Sequence, residues 1–364
     1  MTRIIILIIF ISAVHSVISQ IPQIPFSPQK YIAYKTSETL CIDGKLNEDE
    51  WNKAPWTNRF VDIQGYLKPL PGYETKLKIL WDENYLYFGV WLEEPHIWAT
   101  LTERESIIFH DNDFEIFIDP DGDTHNYIEY EINALGTEWD LFMCKPYRDR
   151  CAANSKWNID GINAAIGIQG TINDPSDTDT GWVIEVAMPW KSLIEHSSSK
   201  KIPIDGEQWR MNFSRVQWEI DIITEKYEKQ KDKSGKNKPA QNWVWSPQGL
   251  IAMHQPETWG YVQFSELAAG SEQVSFINRP EENIKWDLRQ LYHMQRNYYT
   301  RNQTYCDDFK KLQKDTCLIE AYDLPFEIII DYKNYQISLP GSNNLKWIIR
   351  KDGKVWPEQM TNDK

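Results

Sequence analysis

The chain has 364 residues, with 53 acidic against 39 basic side chains and a formal net charge of −14. A field of that sign repels nucleic acid and anionic membrane surfaces, which argues against nucleic acid as a partner. The length admits one large domain with an appendage, or two domains, while 17 Trp and 18 Tyr exceed what such a core needs.

The chain opens Met-Thr-Arg, runs apolar over 4–14, and reaches Val17-Ile18-Ser19 before Gln20. A short basic start, an apolar stretch too short to span a bilayer and small exit residues predict a cleavable signal peptide over 1–19. The protein is therefore expected to be secreted, periplasmic or at the cell surface, with no membrane span. Cys41, Cys144, Cys151, Cys306 and Cys317 allow disulfides and leave one odd thiol. Proximity favours Cys144 with Cys151 and Cys306 with Cys317, and free buried thiols fit equally well.

From 42 to 264 the chain is a series of short alternating segments punctuated by turn residues. This predicts an all-β fold, an immunoglobulin- or jelly-roll-like β-sandwich, within a domain over 20–268. Segments 76–81 and 85–92 flank a hairpin turn, 162–170 pairs with 181–189, and 209–219, 243–246 and 261–264 follow. Helices are few: 47–52, with Asn47 as N-cap, and 190–195. The basic run 226–238 reads as a solvated loop between strands. Beyond Ala268-Ala269-Gly270-Ser271, residues 269–364 predict a small α+β appendage. It has helical spacing over 280–312 with a break near Asn302, then strands at 326–331 and 335–339. A hairpin of 346–350 with 355–356 is turned by Asp352-Gly353.

Residues 109–133 carry the chemistry. Phe114, Ile116 and Ile118 share one face of a strand, leaving Glu115, Phe117 and Asp119 opposite. In the next strand Ile128, Tyr130 and Ile132 share a face, leaving Glu129, Glu131 and Asn133. A turn centred near Asp123 sets Glu115 across from Glu131 and Phe117 across from Glu129. Facing like charges destabilise a sheet, so a cation, a shared proton or a hydroxyl-bearing ligand should compensate. Asp119, Asp121 and Asp123 alternate through the acidic turn and suggest an oxygen-rich calcium site, although Thr124 and the lack of a closing Glu depart from the helix–loop–helix pattern.

Aromatic residues near turns (Trp56, Trp139, Trp157, Trp243, Trp245 and Trp259) suit stacking against pyranose faces, while Trp81, Trp91, Trp182 and Trp209 read as structural. Carboxylates beside such rings would accept sugar hydroxyls. The same pair, Glu115 and Glu131, would suit a glycoside-active enzyme, since cross-strand carboxyls lie about 5 Å apart, near the retaining spacing. A third possibility is a structural or assembly module that binds nothing. Gly-x-Ser-x-Gly, His-Glu-x-x-His, Cys-x-x-Cys and phosphate-cradling glycine loops are all absent from the sequence.

Five segments, in this order, resemble the family 9 carbohydrate-binding modules. They are Ile42-Asp-Gly-Lys-Leu-Asn-Glu-Asp-Glu-Trp51, Leu80-Trp-Asp-Glu-Asn-Tyr-Leu-Tyr87, Asp113-Phe-Glu-Ile-Phe-Ile-Asp119, Gly181-Trp-Val-Ile-Glu-Val-Ala-Met-Pro-Trp190 and Trp259-Gly-Tyr-Val-Gln-Phe264. Asn242-Trp-Val-Trp-Ser-Pro-Gln-Gly249, Asn212-Phe-Ser-Arg-Val-Gln-Trp218 and the appendage look like the stand-alone secreted branch of polysaccharide-degrading Bacteroidetes-type bacteria. The resemblance implies a β-sandwich with structural calcium and a slot that grips the ends of chains such as cellulose or xylan between two rings. By motif, the first ring falls on Phe109, the hydroxyl-binding carboxylate on Glu115 and the neighbouring amide on Asn133. Two positions depart: the second Trp falls on Met253, and the sugar-binding Arg falls on Glu131. The aromatic clamp is thus half dismantled and its cation has become an anion, with Trp139, Trp245 and His254 as replacement platforms. The expected function is carbohydrate binding in polysaccharide breakdown, by stacking on Phe109 and Trp245 with hydroxyls held by Glu115, Glu131 and Asn133.

Overall fold

A computed structural model describes residues 21–313 and 326–360. The expected signal peptide and Cys317, with its proposed bond to Cys306, lie outside the described residues. The first strands are β1 (Lys30–Lys35), β2 (Val61–Asp62), β3 (Thr75–Trp81), β4 (Tyr85–Glu93), β5 (Asp113–Asp119), β6 (Tyr127–Asn133) and β7 (Glu138–Met143). They are followed by β8 (Asn163–Gln169), β9 (Gly181–Pro189), β10 (Gln208–Gln217), β11 (Ile220–Ile223), β12 (Lys226–Lys229), β13 (Gln241–Val244) and β14 (Gly260–Ala268).

One hydrogen-bonded path, β7-β6-β5-β10-β14-β1-β3-β4-β9-β8, curls so that its halves face each other. Phe88 of β4 meets Phe213 of β10 at 5.7 Å between ring centroids, and Trp81 of β3 meets Phe264 of β14 at 6.0 Å. Phe114, Ile116, Ile118, Ile184, Val186 and Met211 fill the space between. This is the all-β sandwich that the alternating pattern implies.

Three local expectations need correction. β1, which lies before the first segment read as a strand, runs parallel to both β14 and β3 and joins the two halves of the sheet. The basic run is only partly a loop, because Lys226–Lys229 pairs antiparallel with Ile220–Ile223. The first helix, α1 (Asp49–Lys53), begins after Glu48 and has no side-chain cap, so Asn47 lies too early to serve.

A second set of elements comprises α2 (Trp190–Ile194) inside the sandwich, then α3 (Glu281–Asn302), α4 (Phe309–Gln313), β15 (Glu327–Asp331), β16 (Asn334–Pro340), β17 (Leu345–Arg350) and β18 (Val355–Gln359). The last four strands form their own antiparallel sheet. Helix α3 packs on it through Leu288, Tyr292, Tyr335, Ile337 and Ile349. This layer docks on the sandwich through charged groups. Arg148 reaches the Tyr292 hydroxyl at 3.2 Å, His293 meets Glu257 at 3.1 Å, and Arg296 pairs with Asp149 at 2.7 Å.

Strand β5 positions the site. Its inward residues join the sandwich core, and its outward residues Asp113, Glu115, Phe117 and Asp119 are buried as well. Alternation alone would leave that second face in water. Here segments on either side of residues 109, 147 and 253 fold over it. The Cys144–Cys151 disulfide, with Cα atoms 6.2 Å apart, ties the loop that carries Tyr147.

Candidate functional site

The register places Glu131, Glu115 and Ser214 side by side on β6, β5 and β10, with Glu129 opposite Phe117 and Asn133 opposite Asp113. The expected facing of Glu115 and Glu131 is therefore present, and the row extends to acids and a hydroxyl on three adjacent strands. Asp113, Glu115 and Glu131 each offer a carboxylate oxygen, all within 4.8 Å of one another. The four acids are 5 % exposed or less.

Their electrostatics follow from burial among like charges. Burial first, then Glu115, Asp111 and Glu129, pushes the Asp113 carboxyl well above its ordinary range. Glu115 is raised by burial to about 7. Glu129 and Glu131 are driven well above the carboxylate range by burial and then by Glu115. The Val216 amide and the Ser214 hydroxyl pull Asp113 and Glu115 the other way without reaching hydrogen-bond geometry. Glu131 accepts the Phe109 N–H at 3.1 Å. The His254 ring stands 3.7 Å from Glu129; burial and then Arg148 hold it down to about 3, so it is neutral and brings no compensating charge.

Aromatic rings surround this acidic floor. Phe109 is 39 % exposed and Tyr147 48 %. Phe109 lies 6.4 Å from Trp139 between centroids, and its carbonyl accepts the Trp218 indole N–H at 2.9 Å. Tyr147 meets the His254 ring edge-on at 4.4 Å. Burial, then Glu129 and Glu131, raises the Tyr147 phenol to about 12.

Several expected roles do not match these positions. Trp245 is 2 % exposed and packs on Phe213 inside the core, so it has no face to offer a sugar. A Cβ on Gly260 would lie 2.3 Å from its ring, which shows how tightly that slot is filled. Trp243 and Trp259 are core residues as well. Met253 is buried, and its carbonyl accepts the Trp259 indole N–H. Asn133 is fully buried; its amide donates to Leu101 and Asp111, and its oxygen accepts from Leu135 and Thr137. It organises the turn and has no hydrogen bond left for a ligand. Direct capture of hydroxyls by Glu115, Glu131 and Asn133 is closed off as the side chains stand, because all three are 5 % exposed or less. Sequence reasoning missed Tyr147, Ser214 and Asp113. Only Asp113 left a signal, sitting two residues before Glu115 on the same strand face.

The calcium turn forms at the other end of β5, where Asp119, Asp121 and Asp123 bring oxygens within 4.8 Å of one another. These acids have donors. Asp119 accepts N–H groups from Gly122 and Thr124, Asp123 accepts from His125, and Lys354 reaches Asp123 at 2.9 Å. Burial, followed by the neighbouring carboxylates, still raises Asp119 and brings Asp121 to about 6. A separate groove of about 730 Å³ on the opposite layer of the sandwich is bordered by Trp56, Trp91, Asp43 and Asn47.

A β-sandwich with rings set around a polar face has the general layout of a ligand-binding module. Residues 42–209 match the family model described as carbohydrate family 9 binding domain-like. A curated relative, the exoglucanase XynX of Acetivibrio thermocellus, is 24 % identical over 156 residues. That match covers 43 % of this chain and 12 % of the relative's length. Among solved structures, a putative carbohydrate-binding protein from Bacteroides uniformis aligns at 17 % identity and a TM-score of 0.48, over 66 % of this chain and all of its own. A family 9 module from Caldicellulosiruptor kristjanssonii in complex with cellotriose aligns at 16 % identity and a TM-score of 0.42, over 69 % of this chain and all of its own.

Proposed function

We propose that this chain is an exported carbohydrate-binding protein without catalysis of its own, serving polysaccharide breakdown. The family match over 42–209 supports the ligand class. The observation that carries the reading to a place is Phe109: an open ring beside Trp139, its backbone fastened to Glu131. A pyranose would lay its C–H face on that ring, with the Tyr147 hydroxyl at the rim as a polar partner. The disulfide Cys144–Cys151 suits an oxidising, extracytoplasmic compartment, and among the described residues no helix is long and apolar enough to cross a membrane. A calcium ion in the 119–123 turn belongs to this reading as a structural ion, with Lys354 as its competitor. Affinity should be modest, because an open ring face leaves much of the sugar in water.

A glycan array followed by calorimetry on the best hit tests the reading. Wild type should bind, and Phe109→Ala should lose binding while melting at the same temperature. Hydrolysis of any glycan by wild type, abolished in Glu115→Gln and Glu131→Gln, would replace binding with catalysis. Silence across the panel, with and without calcium, would mark a structural module.

A further inference from the structure

We propose that Asp113, Glu115 and Glu131, together with the Ser214 hydroxyl, bind one calcium ion next to the Phe109 backbone. This site is distinct from the 119–123 turn and stands independently of the glycan reading. The three carboxylate oxygens lie within 4.8 Å of one another. A point central to them lies no more than about 2.8 Å from each, so the oxygens need close in by only a few tenths of an ångström to reach the roughly 2.3–2.6 Å of calcium, and by more to reach the roughly 2.1 Å of magnesium. The ligand set holds oxygen alone, with no His or Cys to favour zinc or copper.

The acids alone would not make a site, and two further observations point to a missing partner. Both oxygens of Asp113, fully buried, have no hydrogen-bond donor among the described residues, and neither does Oε2 of Glu115. The Ser214 hydroxyl, also fully buried and facing Glu115 from the neighbouring strand, is unpaired as well. A neutral oxygen left idle at the edge of an acid cluster is a ready fourth ligand for a hard cation. Neither Arg nor Lys figures among the groups that act most strongly on these carboxyls, whose principal neighbours are other acids. Protons shared between acids would satisfy one facing pair, yet they leave Asp113 and Ser214 without partners. Glu129 stands behind the set and deepens its negative field.

The consequence is structural as well as chemical. Phe109 is tied to Glu131 by its N–H, so an ion bound to Glu131 would fix the loop that presents the ring.

The test uses the full chain, stripped with a chelator and titrated with calcium chloride by calorimetry, with magnesium chloride as control. Wild type should bind calcium and melt at a higher temperature with it. Asp113→Asn and Glu131→Gln should each weaken that binding by about tenfold or more, and Ser214→Ala by less, while Asp121→Asn in the turn leaves this site intact. The amide variants remove charge from an uncompensated cluster, so a raised melting temperature in the chelated state confirms that they fold. Wild-type calcium affinity in Asp113→Asn and Glu131→Gln would overturn the proposal, as would the absence of any calcium heat or melting shift in wild type. Calcium binding that Asp113→Asn and Glu131→Gln weaken and Asp121→Asn does not, without glycan binding, would uphold this site and remove the glycan reading, whereas glycan binding with no calcium binding sensitive to Asp113 and Glu131 would keep the glycan and discard the ion.

Discussion

At the C-terminal end of β5, Asp119 accepts two backbone N–H groups and Lys354 reaches its neighbour Asp123. At the N-terminal end, six residues earlier, Asp113 and Glu115 lie beside Glu131, and almost no donor reaches them among the described residues. Asp113 and Asp119 are the same residue type, bound the same strand and are both fully buried, although the turn beyond Asp119 is more open. What differs is the supply of donors from the covering segments. A tight turn presents its own amides to the carboxylates it contains. A flat sheet face spends its amides in the ladder and offers none to its side chains. Acids on such a face therefore depend on something brought to them.

The sharpest way to break this comparison is to remove one acid from each end of β5. Asp119→Ala leaves the Gly122 and Thr124 amides without their acceptor and should cost about 2–3 kcal/mol in denaturant unfolding. Asp113→Asn should move the other way, raising the stability of the calcium-free protein by about 1 kcal/mol, because it deletes one charge from an uncompensated set. If the two variants lost stability equally, the ends would be equivalent and the distinction would fail.

A third buried acid, Glu282 of α3, refines the rule between these extremes. Burial would raise it, but Lys285 and Arg210 outweigh that cost and, with the Tyr261 hydroxyl, hold it down to about 2. A depressed folded value means stability that is present above the unfolded value near 4.5 and is lost as pH falls from there toward 2. Acid titration between those limits should remove about 2 kcal/mol more stability from wild type than from Glu282→Gln. An identical pH profile in both would show that Arg210 and Lys285 do not compensate this acid.

Much of the architecture was readable from period and punctuation. The hairpin of β3 and β4, the β8–β9 pair, and the break after Asn302 all follow from alternation, turn residues and helical spacing. The Glu115–Glu131 facing came from counting outward from one turn. The cover over β5 was not readable, because it is assembled from segments distant in sequence. Trp245 illustrates the limit: its nearness to a turn does not reveal which way the ring points, and the space it occupies depends on Gly260. Ser214 could be placed beside Glu115 only once β10 was known to pair with β5.

The most direct measurement is a crystal structure of the protein with calcium and the oligosaccharide that binds best on an array. A pyranose stacked about 4 Å from the Phe109 ring is the predicted result. A sugar lodged instead in the groove of Trp56 and Trp91, with Phe109 bare, would contradict the account.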